Sequence, residues 1–226
     1  MRSYHQYCAI AKALDMIGDR WNLLIVRELL LQGPSRYTDL HQGLPGIATN
    51  LLAERLRDLE SDGIVAREEA PPPIATTLFR LTPRGLELKA IVYELGRWGA
   101  PLLTEPDEHD VHRDTWLALP VSLFVNDRTP DEPPVTIELR AGLEPITVET
   151  REGKVHTRPG AAANPDLILT GAPQLVVGVL TGQLSLTTAR ARGLRTRGNT
   201  KVLARLQPEA AAHLAADAAI CGTPPH

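Results

Sequence analysis

A group of arginines and small polar residues carries the most informative chemistry of this sequence. Arginine binds phosphates, and Asn, Ser and Thr side chains hydrogen-bond to base edges or phosphates. Two members, Asn50 and Arg57, fall on the outward face of a predicted helix. The group predicts contact with double-stranded DNA, and its members are Ser35, Arg36, Thr49, Asn50, Arg55, Arg57 and Arg80.

Each of these residues also has an ordinary structural explanation. The first two residues of the helix could serve only as caps, and Arg55 or Arg57 could pair with carboxylates of their own helix. Ser35 and Arg36 could likewise be a cap and a solvated arginine. Arg80 lies on a predicted strand whose partner strand is acidic, which opposes the approach of a phosphate.

The segment Tyr37–Thr82 has the element order of a winged helix-turn-helix. The sequence predicts a short helix to about His41, a Leu-Pro-Gly turn, a helix over 49–61 and two strands at 64–67 and 76–81. The strands are joined by the acidic, proline-rich stretch EEAPPPIA. In such a motif the second helix enters the major groove.

Longer amphipathic helices flank this motif. Apolar spacing predicts two helical pieces between Cys8 and Leu31, broken at Gly18, with Asp19 as the cap of the second piece. After the wing, Thr82 is a suitable cap for a helix that begins at Pro83 and runs to about Leu103. This helix is expected to close the first domain.

The second half of the chain has a different pattern of predicted helices and strands. The polar, acidic stretch 104–113 predicts a linker between a domain at 1–103 and a domain at 114–226. Beyond it the sequence predicts a short helix, three strands at 135–158, a further strand at 165–170, two helices, a brief strand and terminal helices over 200–219 broken at Pro208. The fold class is therefore α+β, with an N-terminal winged helix-turn-helix.

Length and composition set the broad class. The chain has 226 residues, 43% of them hydrophobic, and a net charge of −3, which allows two domains of ordinary size and a local rather than global basic surface. The N-terminus lacks a secretory apolar run and no stretch reaches membrane-span length. We expect a cytoplasmic protein that is not an enzyme, because the common nucleophile and nucleotide motifs are absent.

Cysteine and histidine raise two further questions. Cys8 could be a redox-sensing thiol whose pKa is lowered by Lys12 one helical turn away, or simply a small core residue. His109 and His112 lie close together in the acidic linker, but the linker composition explains them equally well. The sequence predicts neither a metal nor a cofactor.

The first 100 residues resemble the HxlR family of bacterial winged-helix regulators. The matching residues are Cys8 with AIAKALDMIGDRWNLLIVRELLLQGPSRYTDL, then LLAERLRDLESDGIV, then FRLTPRGLEL. The resemblance implies a homodimer held by the N-terminal helix and the helix at 86–103. It also implies that the helix from Thr49 enters the major groove at each half of an inverted repeat.

The segment Asn164–Leu206 is similar to sterol-carrier-protein-type domains, with a Leu180-Thr181-Gly182 turn between two helices. The resemblance implies an α/β sandwich with an apolar cavity for a lipid or another apolar small molecule. Sequence spacing does not distinguish cavity from solid core. The candidate ligand contacts are Trp116, Leu119, Phe124, Ile137, Leu139, Leu167, Leu169, Leu175, Val179 and Leu184.

Together these features predict a dimeric transcriptional regulator, in the first instance a repressor, with an apolar effector in its second domain. Two alternatives stay open at this point. The chain could be a carrier of apolar small molecules that uses its first domain for protein contacts. It could also be a regulator that senses redox state through Cys8, with a purely structural second domain.

Overall fold

The computed structural model describes residues 3–70, 76–102, 109–111 and 113–208, and it divides into two units, Met1–Arg113 and Asp114–His226. We call these the N-terminal unit and the C-terminal unit. The tip of the predicted wing, most of the predicted linker, His112 and the predicted helix beyond Pro208 lie outside the described residues.

Two helices open the N-terminal unit. Helix α1 spans Ala9–Ile17 and helix α2 spans Asn22–Gln32, so the predicted break at Gly18 is confirmed. The predicted cap was wrong, because α2 starts after Trp21 without any side-chain cap. Asp19 instead accepts the Asn22 N–H through its backbone carbonyl at 3.0 Å, which leaves its carboxylate free for another partner.

The helix-turn-helix follows directly. Strand β1 (Ser35–Arg36) leads into helix α3 (Tyr37–Gly43), and helix α4 covers Thr49–Ser61, the range that the sequence predicted. Gly63 ends α4 with a positive φ of 70°, a conformation that favours glycine. The chain turns sharply at Gly63 and continues into the wing.

The wing is a three-stranded antiparallel sheet. Strand β2 (Val65–Glu69) pairs with strand β3 (Thr77–Leu81), and β3 also pairs with β1, which gives the order β1-β3-β2. Both long wing strands were predicted within one or two residues. Because β1 immediately precedes α3, the sheet fixes the wing beside the helix-turn-helix.

Helix α5 spans Pro83–Gly99 and continues as a 3₁₀ turn at Ala100–Leu102. Thr82 caps it as predicted, since its hydroxyl oxygen accepts the Gly85 N–H at 3.0 Å and the hydroxyl donates to the Gly63 carbonyl at 2.6 Å. Gly85 lies so close to the base of the wing that an added Cβ would be 2.1 Å from the carbonyl oxygen of Ile64. Glycine is therefore required where α5 meets β2.

One apolar core joins these elements. Leucines of α4 meet aliphatic residues of α2, α3, the wing and α5 in a single buried cluster. Its least exposed members, at 0–1% exposure, are Ile25, Val26, Leu40, Leu44, Leu52, Leu56, Leu59 and Val65.

The C-terminal unit is built on a five-stranded sheet. A 3₁₀ turn (Asp114–Leu117), helix α6 (Ala118–Phe124) and strand β4 (Val125–Asp127) come first. Strands β5 (Thr136–Arg140), β6 (Ile146–Arg151), β7 (Lys154–Pro159) and β8 (Leu167–Thr170) follow. The spatial order is β7-β6-β5-β8-β9, and only the β5–β8 pair is parallel.

Helices α7 (Pro173–Leu180) and α8 (Leu186–Ala191) connect β8 to the edge strand β9 (Arg195–Gly198). The last described elements are a 3₁₀ helix at Thr200–Arg205 and strand β10 (Leu206–Pro208). The predicted terminal helix is therefore present over 200–205 as a 3₁₀ helix, but it is wrong over 206–208, where the chain forms a strand. Strand β10 pairs with β4 instead, a long-range contact that an apolar, alanine-containing stretch does not reveal.

A buried ion pair secures this second small sheet. Arg205 donates to both carboxylate oxygens of Asp127, at 3.2 and 2.9 Å, and to the carbonyl of Pro133 at 2.6 Å. Burial raises the pKa of Asp127, but the hydrogen bonds and charge of Arg205 outweigh it, so the net shift is downward. The pair therefore ties β4 to the end of the described chain.

We expect Gly85→Ala to destabilise the protein by about 1–3 kcal/mol, because the new methyl group has no room beside the Ile64 carbonyl. Gly99→Ala in the same helix is the matched control, since no atom lies within 4 Å of the place its Cβ would take. It should be neutral or stabilising by less than about 1 kcal/mol. Urea unfolding of both variants measures this, and equal free energies would contradict the close approach.

Candidate nucleic-acid interface

Helix α4 separates an apolar face from a polar one. Leu52, Leu56 and Leu59 are 0–1% exposed, whereas Asn50 and Arg57 on the opposite side are exposed. The Arg57 Nε donates to the Ala53 carbonyl at 3.2 Å, which lays the side chain along the helix surface. The outward face of α4 thus presents an amide and a guanidinium to solvent.

The start of α4 is free for contacts. Its N-cap residue is Ala48, which makes no side-chain cap, so the capping explanation for Thr49 and Asn50 does not hold. Both residues are exposed, and neither side chain is hydrogen-bonded within the described part of the chain. These are the properties that a base-edge or phosphate contact requires.

Tyr37 positions this helix start. Its hydroxyl donates to the Thr49 carbonyl at 2.5 Å, and its ring stacks on His41 with centroids 6.4 Å apart. The contact links the first turn of α3 to the first turn of α4 and so holds the angle between them. Sequence reasoning missed this role, because the two residues are twelve positions apart and no periodicity relates them.

The two residues before α3 differ from each other. Ser35 is only 4% exposed and its hydroxyl donates to the Gly33 carbonyl at 2.9 Å, so its side chain is occupied inside the protein. Arg36 is exposed and lines a cleft of about 480 Å³ together with Thr38 and Arg67. The cleft lies between α3 and the wing, which is a suitable place for a phosphate.

Arg55 has a different setting from Arg57. Its side chain is 13% exposed, and its guanidinium pairs with Asp19, Glu54 and Asp58, the last at 3.3 Å. Asp19 lies in the α1–α2 connection, so Arg55 ties α4 to the two N-terminal helices. This geometry favours a positioning role for Arg55 over the phosphate contact predicted for it.

The wing arginines are each paired with a carboxylate. Arg80 contacts Glu68 at 2.9 Å, and Arg67 contacts Glu60 at 2.9 Å while lying over the ring of Phe79. Both arginine side chains stay more than 40% exposed. They remain accessible to solvent, but their charge is partly neutralised.

Apolar side chains project from α1 and α5 into solvent. On α5 and the turn that follows it, Ile91, Leu95, Trp98 and Leu102 recur every three or four residues along one stripe, which lies beside the buried Leu88 and Val92. On α1 they precede and follow Ala11, which is buried. The exposed apolar residues of these two regions are Tyr7, Ile10, Leu14, Leu86, Ile91, Leu95, Trp98 and Leu102.

Cys8 is exposed and directly precedes α1. The backbone N–H groups of Ala11 and Ile10 lower the pKa of its thiol, with burial opposing them only weakly. The predicted cause was wrong, since the Lys12 ammonium is 3.8 Å from the Asp15 carboxylate and does not contribute to the shift.

The candidate ligand contacts of the C-terminal unit fall into two sets. The strand residues Ile137, Leu139, Leu167 and Leu169 are 0–1% exposed and form its core. The remaining six lie on or beside helices and are half-buried, and they are Trp116, Leu119, Phe124, Leu175, Val179 and Leu184. Among these ten residues, accessible apolar area therefore lies on the helices rather than on the strands.

In the described part of the chain, no helix is long and apolar enough to cross a membrane. No group of three or more His, Cys, Asp or Glu residues in the same part is arranged to hold a metal ion. The suggested pair of His109 and His112 is not testable, because His112 lies outside the described residues.

Comparison with known proteins gives consistent matches. The model of the HxlR-like helix-turn-helix family matches residues 16–107. The HTH-type transcriptional regulator YodB of Bacillus subtilis (strain 168) is 35% identical over 96 residues, which are 42% of this chain and 84% of YodB. YvaP of the same organism, an uncharacterised HTH-type regulator, is 36% identical over 87 residues, 38% of this chain and 80% of YvaP.

Two solved structures have about the same sequence identity to this chain as the relatives above. The reduced form of YodB is 32% identical, covers 45% of this chain and 100% of that one, and gives a TM-score of 0.38. The reduced form of the redox regulator HypR is 30% identical, covers 42% of this chain and 92% of that one, and gives a TM-score of 0.39.

Proposed function

Because the chain belongs to the HxlR family of helix-turn-helix transcriptional regulators, we propose that it binds an inverted-repeat operator as a homodimer and responds to an apolar small molecule. The observation that carries the DNA contact is the outward face of α4. Asn50 and Arg57 are exposed there, directly opposite three buried leucines.

The DNA contacts divide by chemistry. Asn50 has the amide donor and acceptor that pair with adenine in the major groove, and Thr49 suits a phosphate or a base edge. Arg36 and Arg57, which contact no carboxylate among the described residues, supply positive charge for phosphates. Arg67 and Arg80 of the wing can join them only by leaving Glu60 and Glu68, which lowers what they contribute.

The homodimer accounts for the apolar stripe on α5. Side chains such as Trp98 (74% exposed) and Leu95 (49% exposed) would be unfavourable in a monomer and are the kind of residue that interface cores use. Covering the stripes of α1 and α5 with a second copy removes this surface from water. It also places two α4 helices for two half-sites.

The effector belongs to the C-terminal unit in this proposal. Its half-buried apolar helix residues, among them Trp116, Phe124 and Val179, provide a surface for an apolar molecule. The ligand must bind one arrangement of the dimer better than the other, because equal affinity for both would change nothing. In this proposal the protein is a repressor, and binding of the ligand releases it from DNA.

A second candidate is a thiol-sensing regulator. Cys8 is exposed, its thiol pKa is lowered, and it lies at the start of α1, one of the two helices with an exposed apolar stripe. Modification of this thiol would therefore alter the proposed dimer contact directly. In that case the C-terminal unit is structural.

We expect Asn50→Ala to weaken operator binding by about 1–3 kcal/mol, because the amide that pairs with a base is removed. Arg57→Ala should lower the slope of log affinity against log salt by about 1 per chain, since one phosphate is no longer neutralised. Titration of labelled DNA from upstream of the protein's own gene, at several salt concentrations, measures both effects.

Arg151→Ala, an exposed arginine of the C-terminal unit, is the control and should leave affinity and slope unchanged. Arg55→Ala should instead lower stability, because its partners Asp19, Glu54 and Asp58 lose their common cation. Absence of any complex at low salt would contradict the DNA-binding proposal.

We expect Trp98→Glu to convert the dimer to a monomer, because a carboxylate is too costly to bury in an apolar interface. Leu143→Glu is the control, since Leu143 is 98% exposed in the C-terminal unit. Sedimentation velocity reports the mass of each species. The dimer assignment fails if wild-type protein is monomeric or if Trp98→Glu sediments as a dimer.

The two sensing candidates give opposite results in one pair of measurements. An effector site predicts that native mass spectrometry of the purified protein detects a bound apolar molecule and that a thiol oxidant leaves DNA binding intact. A Cys8 sensor predicts that the oxidant releases DNA from wild type but not from Cys8→Ser, with Cys221→Ser as the control. A protein that shows neither response would contradict both.

A further inference from the structure

Positive charge is segregated in the last part of the C-terminal unit. The 42 residues from Leu167 to Pro208 contain six Lys and Arg residues and no Asp or Glu, although the whole chain has a net charge of −3. This segment runs from β8 to β10. Its electrostatic character is opposite to that of the chain average.

Five of these cations lie on three consecutive elements of the chain. They lie at the end of α8, on β9 and in the 3₁₀ helix that follows, and all five are exposed. Strand β9 is an edge of the five-stranded sheet. We call this group the β9 basic surface, and its members are Arg190, Arg192, Arg195, Arg197 and Lys201.

Sheet register places two of them side by side. Arg197 pairs with Ile168 and Arg195 pairs with Thr170, so both arginines lie on the face opposite the buried Leu167. Two residues along a strand are separated by about 6.6 Å. That distance is comparable with the spacing of successive phosphates along one DNA strand.

Among the residues that the structure describes, these cations have no carboxylate partner. Elsewhere in the C-terminal unit, Arg140, Arg158 and Arg205 each contact an acidic residue within 4 Å. Within the described chain no carboxylate lies that close to any member of the β9 basic surface. Arg190 is instead bound to a neutral group, since its Nη2 donates to the Thr196 hydroxyl at 2.5 Å.

The residue types of the β9 basic surface indicate what kind of partner it could bind. No aromatic residue occurs between Gly160 and Pro208, so the segment lacks both the stacking platforms that bind single strands and the aromatic anchors of most protein interfaces. Exposed arginines without such anchors are suited to a regular polyanion, whose condensed counterions are released on binding.

We infer that the β9 basic surface binds the sugar-phosphate backbone of double-stranded DNA, so that the C-terminal unit adds to operator affinity. The inference rests on the proposed DNA-binding function. Because both units belong to one chain, binding of α4 raises the effective concentration of DNA for the second unit, which makes further phosphate contacts favourable. These contacts carry affinity rather than sequence specificity.

The test compares the full-length double variant Arg195→Ala/Arg197→Ala with the matched pair Arg151→Ala/Arg158→Ala. The control arginines lie on strands of the same sheet but both contact Glu149. Affinity for DNA from upstream of the protein's own gene is measured across a salt series. The first variant should bind about tenfold more weakly at low salt, with a slope lower by about 1 for each phosphate that is no longer neutralised.

Two further variants separate the outcomes. Arg195→Lys/Arg197→Lys keeps the charge and should keep most of the slope, whereas a folding defect would not be rescued. Arg57→Ala, run in parallel, reports the α4 contact alone. If Arg57→Ala weakens binding while the Arg195/Arg197 alanine variant retains wild-type slope, the inference is overturned and the proposed function stands. If neither variant changes binding, both are overturned.

Discussion

Burial of the leucine face of α4 is the constraint on which the proposed DNA-binding surface depends. Leu52, Leu56 and Leu59 are removed from water in one buried cluster that also contains residues of α2, α3, the wing and α5. Each such side chain contributes about 1.5–3 kcal/mol when fully buried. A helix has only one opposite face, so fixing the leucines also fixes where Asn50 and Arg57 point. The packing of the core therefore determines the position of the proposed DNA-binding surface.

Ion pairs with carboxylates then limit which arginines remain available to bind phosphates. In the N-terminal unit Arg55, Arg67 and Arg80 all contact carboxylates, whereas Arg36 and Arg57 have no such contact in the described chain. A protein of net charge −3 can thus bind DNA through a few free cations at defined positions. Arg55 serves another purpose, since its contact with Asp19 connects α4 to the α1–α2 region. A change in the proposed dimer contact of α1 could therefore be transmitted to α4 through the contact between Arg55 and Asp19.

The sequence allowed accurate prediction where local pattern decides structure. Helix α4 was predicted over its full range because its leucine spacing is regular and Gly63 ends it. Thr82 was identified as a cap because a proline follows it. Interactions between distant residues were not predictable in this way. The partner of Arg55 is 36 positions away, the partner of Tyr37 is twelve away, and β10 pairs with a strand some 80 residues earlier. Such contacts depend on how the elements pack rather than on the local sequence.

The proposed function requires that two α4 helices read DNA together as a symmetric pair. In vitro selection from random duplex DNA with the full-length protein tests this requirement most directly. We expect an enriched inverted repeat whose half-site centres lie about one helical turn, or roughly 10–10.5 base pairs, apart. Inserting about half a turn between the half-sites should abolish tight binding, and inserting a full turn should restore part of it. Enrichment of a single unpaired site, or binding that is indifferent to the spacing, would contradict paired reading by the two helices.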